Sequence, residues 1–221
     1  LRPLEQVRRL VHQQVGRQAM LKLEDIFAEA AAMRPVTRQA RIAARGSAPV
    51  LLRGEGGVGK NHLARAIHND SARADKPFIS INCRAIPREL IVSEFMGYEK
   101  ESGRDGRPSK FELAHEGTLL LDQVESLSLE MQSALLQVIE TGHVMRLGST
   151  RPIPVDVRVI AATTADLEAS VAEGNFLSHL YYRFSVFHIT ISSLPPRAEY
   201  ILLLAQRLLP RVGRPGRVLA S

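Results

Sequence analysis

Residues 51–69 read LLRGEGGVGKNHLARAIHN, and within them Gly54, Glu55, Gly56, Gly57, Val58, Gly59 and Lys60 fit G-x-x-x-x-G-K. These residue types at this spacing suit the binding of phosphate groups. Glycines let successive backbone N–H groups turn inward on phosphate oxygens, and a helix N-terminus adds partial positive charge. Lys60 then reaches the outer phosphates of a nucleotide. A glycine-rich turn that only caps a helix is the plainer alternative, and the place of the motif between a strand and a helix favours phosphate. One residue departs from the pattern. Such sites carry Ser or Thr after the lysine, whose hydroxyl oxygen holds Mg²⁺, whereas this chain has Asn61. An amide carbonyl is also a hard oxygen ligand, but it lies further out on a planar group. Binding is expected to survive this change, with Mg²⁺ held weakly by Asn61.

The elements that must position the motif follow from hydrophobic patterning. APVLLRG is a short apolar strand ending at Gly54, and a helix runs from about residue 60 to 69. KPFISINC (76–83) reads as the second strand, GTLLLDQV (117–124) as the third and VRVIAATT (157–164) as the fourth. SLEMQSALLQVIETG is helical, with Leu135, Val138 and Ile139 on one face and Gly142 as its stop. HVMRLGSTRPIPVDV reads as a hairpin turning around residues 148–150. Apolar strands alternating with helices predict an α/β fold, a parallel sheet covered on both faces. Upstream, residues 23–45 are Ala-rich and helical, and Pro35 marks a break or a new first turn. Leu4, Val7, Val11 and Gln14 recur at helical spacing, which suits a dimerising linker or a helix packed on its own domain.

Composition narrows the class. The 221 residues are 45% hydrophobic and 24% charged, enough for one substantial α/β core with a solvated surface. The chain opens on Leu1 and stops in GRPGRVLAS, so we read it as a piece of a longer protein. A single cysteine, Cys83, excludes a disulfide framework and points to a reducing, cytoplasmic setting. No run of about 18 apolar residues is available to cross a bilayer, so no membrane partner is expected. The formal charge of +6 and pI near 9.9 come mainly from arginine, and suit nucleic acid, phosphate ligands or an acidic protein. Those arginines are scattered without aromatic interleaving, which supports direct nucleic-acid binding only weakly.

Several stretches in order carry a resemblance: VLLRGEGGVGKNHLARAIHN, INC, GYEK, KFELAHEGTLLLDQV, MQSALLQVIETG, VDVRVIAATTADL and LYYRFSVFHITISSLPPR. Together they resemble bacterial enhancer-binding proteins, in the central AAA+ domain that remodels RNA polymerase carrying sigma-54. Within that family, LVHQQVG and the altered motifs are most similar to regulators of dihydroxyacetone (glycerol) utilisation. The resemblance runs from about residue 23 to 197. It implies a three-layer P-loop NTPase core with a parallel sheet, ATP as ligand, self-association into a dimer or ring, and a helical lid that is mostly absent here. The implied organisation is a helical linker from a sensory region over 1–20, the AAA+ core over 21–197, and the truncated start of the lid over 198–221. DNA would be bound by a helix-turn-helix outside this chain, and RNA polymerase or sensory proteins by regions partly outside it.

Carried over residue by residue, the resemblance is uneven. Asp122 matches the acidic residue that holds Mg²⁺, and the next position, Glu in the family, is Gln123 here. A neutral amide orients water but cannot take its proton, and general-base catalysis is worth about 10²–10⁴-fold. Thr164 stands where the family has a sensor Asn, and its hydroxyl is expected to reach a water or phosphate. Arg183 matches one of two arginines offered to a neighbouring subunit's nucleotide, and Leu177 replaces the other. Between Lys100 and Lys110 the family has GAFTGA, which grips sigma-54; ESGRDGRPS is expected to be only a solvated turn. The expectation is therefore an ATP-binding module of a transcription regulator, with weak or no hydrolysis and no sigma-54 remodelling. A working ATPase driving activation and a nucleotide-free oligomerisation scaffold are the alternatives.

Overall fold

The computed structural model describes Leu23 and residues 33–100 and 106–191. The expected linker helix and lid segment lie outside the described residues. Five parallel strands form the sheet, in the spatial order β2, β3, β6, β1, β7. They are β1 (Val50–Arg53), β2 (Phe78–Asn82), β3 (Thr118–Asp122), β6 (Arg158–Thr163) and β7 (Phe187–Thr190). Between β3 and β6, β4 (His143–Val144) and β5 (Ile153–Pro154) form the expected hairpin, with Gly148 at φ 78° in its connection.

Burial explains the strand order. All six residues of β6 are buried, as are the first three of β1 and the first four of β3. Such runs can lie only at the centre of a sheet covered on both faces. The edge strands β2 and β7 bury fewer positions. Alternate side chains of each strand enter opposite layers. Val50, Leu52, Leu120, Ile160, Ala162 and Ile189 join one apolar cluster, against α1 (Arg34–Arg45) and α2 (Lys60–Asn69). Leu51, Ile81, Leu119, Leu121, Val159 and Ala161 join the other. That second layer is completed by α3 (Arg88–Met96), α4 (Lys110–Leu113), α5 (Leu129–Thr141), α6 (Leu167–Ala172) and α7 (Ser178–Phe184). Phe95, Phe111 and Phe184 are its largest fully buried side chains. Truncating one of them to Ala is expected to cost about 3–5 kcal/mol.

Helix boundaries follow local chemistry. Pro35 lies in the first turn of α1, where its fixed φ suits the opening of a helix. Ser128 caps α5 by accepting from the Met131 N–H, and Gly142, at φ 66°, ends that helix in the left-handed conformation. Of the polar stretch expected to be a turn, the described part is anchored. Arg107 pairs with Tyr98 through two backbone hydrogen bonds, and Ser109 and Glu112 form a capping box at α4. Arg146 donates to both Glu112 oxygens, at 2.8 and 2.6 Å. Burial opposes ionisation of Glu112, but the hydrogen bonds from Arg146 and Ser109 outweigh it and hold the carboxyl below its ordinary range.

Candidate functional site

Two elements present the glycine loop. β1 pairs with β6 on one side and β7 on the other, and its last residue, Arg53, leads into Gly54. The Gly54 N–H donates to the Thr163 carbonyl at 3.2 Å, tying the loop to the end of β6. A Cβ at Gly54 would stand 2.7 Å from the Ile191 carbonyl oxygen and 3.0 Å from Val58 Cγ2, so packing requires glycine there. Further along, the reason for glycine changes. A Cβ at Gly56, Gly57 or Gly59 would meet nothing within 4 Å, and Gly57 and Gly59 have φ of 78° and 97°. The space above them is open, and the left-handed backbone turns their N–H groups out of any strand ladder. Gly59 precedes α2 without a side-chain cap, which leaves first-turn N–H groups available to a ligand. Val58 points the other way and is buried in the core.

Opposite the loop stands a wall of side chains from the ends of β3 and β6. Gly56, Gly57, Gly59, Lys60, Asn61, His62, Asp122, Gln123 and Thr164 line one cleft of about 270 Å³. Most of the residues picked out in the sequence are thus brought together, at the carboxyl ends of parallel strands, where open α/β sheets hold ligands. Lys60 Nζ donates to the carbonyls of Gly54 and Glu55, at 2.6 and 2.8 Å. Desolvation lowers its pKa, and the nearby Asp122 and Glu125 carboxylates oppose that change. His62 is held below its ordinary pKa by burial and by Arg65, which favours the neutral ring.

The wall is tied up in its own hydrogen bonds. Asn61 Nδ2 donates to Asp122 Oδ2 at 3.1 Å. Both the backbone N–H and the hydroxyl of Thr164 donate to Glu125 Oε1, at 3.2 and 2.8 Å. The expectation for Thr164 is narrowed by this contact: its hydrogen points at Glu125, so towards the cleft the hydroxyl can accept but not donate. Gln123 adopts φ 59°, ψ 51°, unusual for a residue other than glycine, as β3 turns into a 3₁₀ turn over Val124–Ser126. Glu125 escaped the sequence reading. It stands two positions after Gln123, and nothing local shows that it turns back to Thr164.

The family resemblance implies Mg²⁺ between position 61 and Asp122, and the residues present fit that ion poorly. An oxygen on residue 61 would need a cation between itself and the Asp122 carboxylate. An amide N–H needs none. Magnesium is usually held by one or two carboxylates with water and substrate phosphates; Asp122 offers the carboxylate, but Asn61 turns a donor towards it and adds no oxygen ligand.

Arg183 lies elsewhere. It projects from α7 and pairs with Glu140 on α5 at 3.3 Å, with about half of its side chain exposed. Leu177, at the position of the second expected arginine, is the N-cap of α7, and its N–H donates to Gln132 Oε1 at 2.8 Å. Cys83 is buried beside the sheet, its thiol pushed up to about 12 by burial first and then by Asp122 and Glu125, which disfavours the thiolate.

Comparison with known proteins agrees with this architecture. A family model described as the sigma-54 interaction domain matches residues 26–190. The Nif-specific regulatory protein of Rhizobium leguminosarum bv. trifolii is 45% identical over 196 residues, covering 86% of this chain and 55% of that protein. The PTS-dependent dihydroxyacetone kinase operon regulatory protein of Escherichia coli (strain K12) is 45% identical over 213 residues, covering 95% of this chain and 33% of that protein. This chain therefore spans between a third and little more than half of these relatives. Among solved structures, NtrX from Brucella abortus in complex with ATP superposes with a TM-score of 0.75 at 32% identity, over 84% of this chain and 43% of that one. Its complex with ADP gives a TM-score of 0.77 at 30% identity, over 94% and 46%. With more than half of its length matched by the family model, the chain belongs to the sigma-54 interaction domain family.

Proposed function

We propose that this chain is the nucleotide-binding AAA+ module of a DNA-binding transcriptional regulator, holding ATP or ADP with weak or no hydrolysis and without remodelling polymerase that carries sigma-54. One observation carries the reading. The backbone loop from Gly54 to Lys60 leaves open space over Gly56, Gly57 and Gly59, while Asn61 on α2 and Gln123 on the facing wall are amides lining the same cleft. Backbone N–H groups and Lys60 suffice to hold phosphates. Hydrolysis needs more: a group that takes the proton of the attacking water, and a cation to balance developing charge. Gln123 can orient water only, and the Asn61 amide faces Asp122 with a donor. The solved structures of NtrX with ATP and with ADP support nucleotide as the ligand class.

The remaining parts of the reading concern partners. Self-association, as a dimer or ring, follows from the family and from the helical seam at Leu4, Val7 and Val11. Contact with DNA, a sensory region or polymerase would pass through segments beyond this core. No helix among the described residues is long and apolar enough to cross a membrane. A calorimetric titration with ATP, run beside a phosphate-release assay, tests the proposal. Binding with little release supports it. Binding with fast, Mg²⁺-dependent release favours a working ATPase, and no heat at millimolar ATP from folded protein leaves a nucleotide-free scaffold.

A further inference from the structure

We propose that this cleft selects a nucleoside diphosphate over the corresponding triphosphate. The inference rests on reading the cleft as a nucleotide site and adds which phosphorylation state it keeps. The loop from Gly54 to Gly59 and the start of α2 supply the N–H groups, so phosphates nearest the nucleoside find their donors there. A third phosphate must extend to the far wall, towards Asp122, Gln123 and Thr164.

That wall has little to offer an anion. The Thr164 hydroxyl and N–H both donate to Glu125, and the Asn61 amide donates to Asp122. Two carboxylates therefore sit at or directly behind the surface that a third phosphate would meet. The second Glu125 oxygen, Oε2, is buried and has no hydrogen-bond partner among the described residues. Both carboxylates act on Lys60, which places their charge within reach of the phosphate end of the cleft. Lys60 is the one lysine or arginine among the described residues lining the cleft. His62 is biased towards its neutral form. Arg183, the cation that could come from a neighbouring copy, is paired with Glu140. A metal ion would ordinarily offset the charge of a third phosphate, and here Asp122 accepts a hydrogen bond from the Asn61 amide, which brings no oxygen ligand. The Gln123 amide remains as a neutral contact, and it cannot balance this charge.

The test is a titration of the 221-residue chain with ADP and with ATP in the presence of a chelator. ADP is expected to bind roughly tenfold more tightly than ATP, as repulsion between an added phosphate charge and two carboxylates requires. Added potassium chloride should narrow the gap, because part of that repulsion is screened. Glu125→Gln keeps an acceptor for Thr164 and removes the charge, so it should narrow the gap by strengthening ATP binding. If this variant does not fold, the parent's ratio and its salt dependence decide alone. ATP binding as tightly as ADP, or more tightly, overturns the selectivity and leaves the nucleotide reading standing. A gap indifferent to both salt and Glu125→Gln overturns its electrostatic basis. Failure of both nucleotides to bind folded protein overturns the nucleotide reading itself, and this inference with it.

Discussion

The two sides of the cleft are built from different materials. The loop side is made of backbone: open space over Gly56, Gly57 and Gly59, an uncapped helix start, and Lys60 folded against two carbonyls. The wall side is made of side chains, and the departures at Gln123 and Thr164 lie there, with Asn61 facing it from α2. Backbone binding tolerates sequence drift provided that glycine stays where φ and space demand it. Side-chain chemistry does not, because exchanging a carboxylate for an amide, as at Gln123, removes a proton acceptor outright. On the proposed reading, the fold keeps ligand binding while Asn61 and Thr164 are drawn into internal hydrogen bonds.

The largest effect should come from breaking the loop side. Gly54→Val would push a branched side chain into the Ile191 carbonyl and Val58, contacts already at 2.7 and 3.0 Å for a bare Cβ. Thermal melts should show a loss of about 1–3 kcal/mol. Titration should show nucleotide affinity falling by more than about 100-fold, as the cradle N–H groups are displaced together.

Next comes the link between the two sides. His68 on α2 bonds through Nδ1 to Thr118 at the start of β3, the strand that ends in Asp122, at 2.9 Å. Burial, then Arg65 and Arg158, lower its pKa to about 4, so the ring is neutral in the fold. An unfolded histidine takes its proton near pH 6.5, hence the unfolded chain binds more protons between about pH 6.5 and 4. The stability this contributes is complete above that window and is lost as pH falls through it, by up to a few kcal/mol. Melting temperatures across the range measure the slope, and His68→Gln should flatten it.

Lys60→Ala should lower nucleotide affinity by about 10–100-fold, the worth of a charged hydrogen-bond donor to phosphate. A wall substitution should do far less to binding. Gln123→Glu is expected to leave ADP affinity within about threefold, since cradle donors hold the first two phosphates. A larger loss, read by the same titration, would mean that the wall shares in binding and that the division between the sides is too sharp.

Much of this was legible in the sequence because the loop is a local motif and the central strands are unbroken apolar runs. Gly54 through Lys60 need only their own spacing to be recognised. The fifth strand, Phe187–Thr190, was not read: its exposed Thr190 and half-exposed Phe187 weaken the pattern, and its place beside β1 is a long-range pairing. The wall was legible as residues but not as contacts. Asn61 finds Asp122 across 61 positions, and Glu125 finds Thr164 across 39. A side chain's partner at that range is set by the sheet order, which no single motif specifies. The wall was thus seen as a set of losses, and the structure adds that Asn61 and Thr164 are each hydrogen-bonded to a carboxylate.

The smallest effect concerns the exposed pair at Arg183 and Glu140. As a surface ion pair, its loss in Arg183→Ala should change stability by no more than about 1 kcal/mol. Nucleotide affinity of the isolated subunit should not move, because Arg183 does not line its own cleft.

The most direct test of a kept cradle and a diverted wall is the rate of phosphate release from ATP with Mg²⁺, at concentrations that favour assembly. It should be measured for the parent and for Asn61→Thr combined with Gln123→Glu. The parent is expected to stay near background. The double variant should rise well above it, and above either single change, since a placed metal and a water-activating carboxylate act as a unit. A parent that already releases phosphate rapidly, with a strict Mg²⁺ requirement and no gain in the double variant, would contradict this. Asn61 and Gln123 would then be working catalytic substitutes.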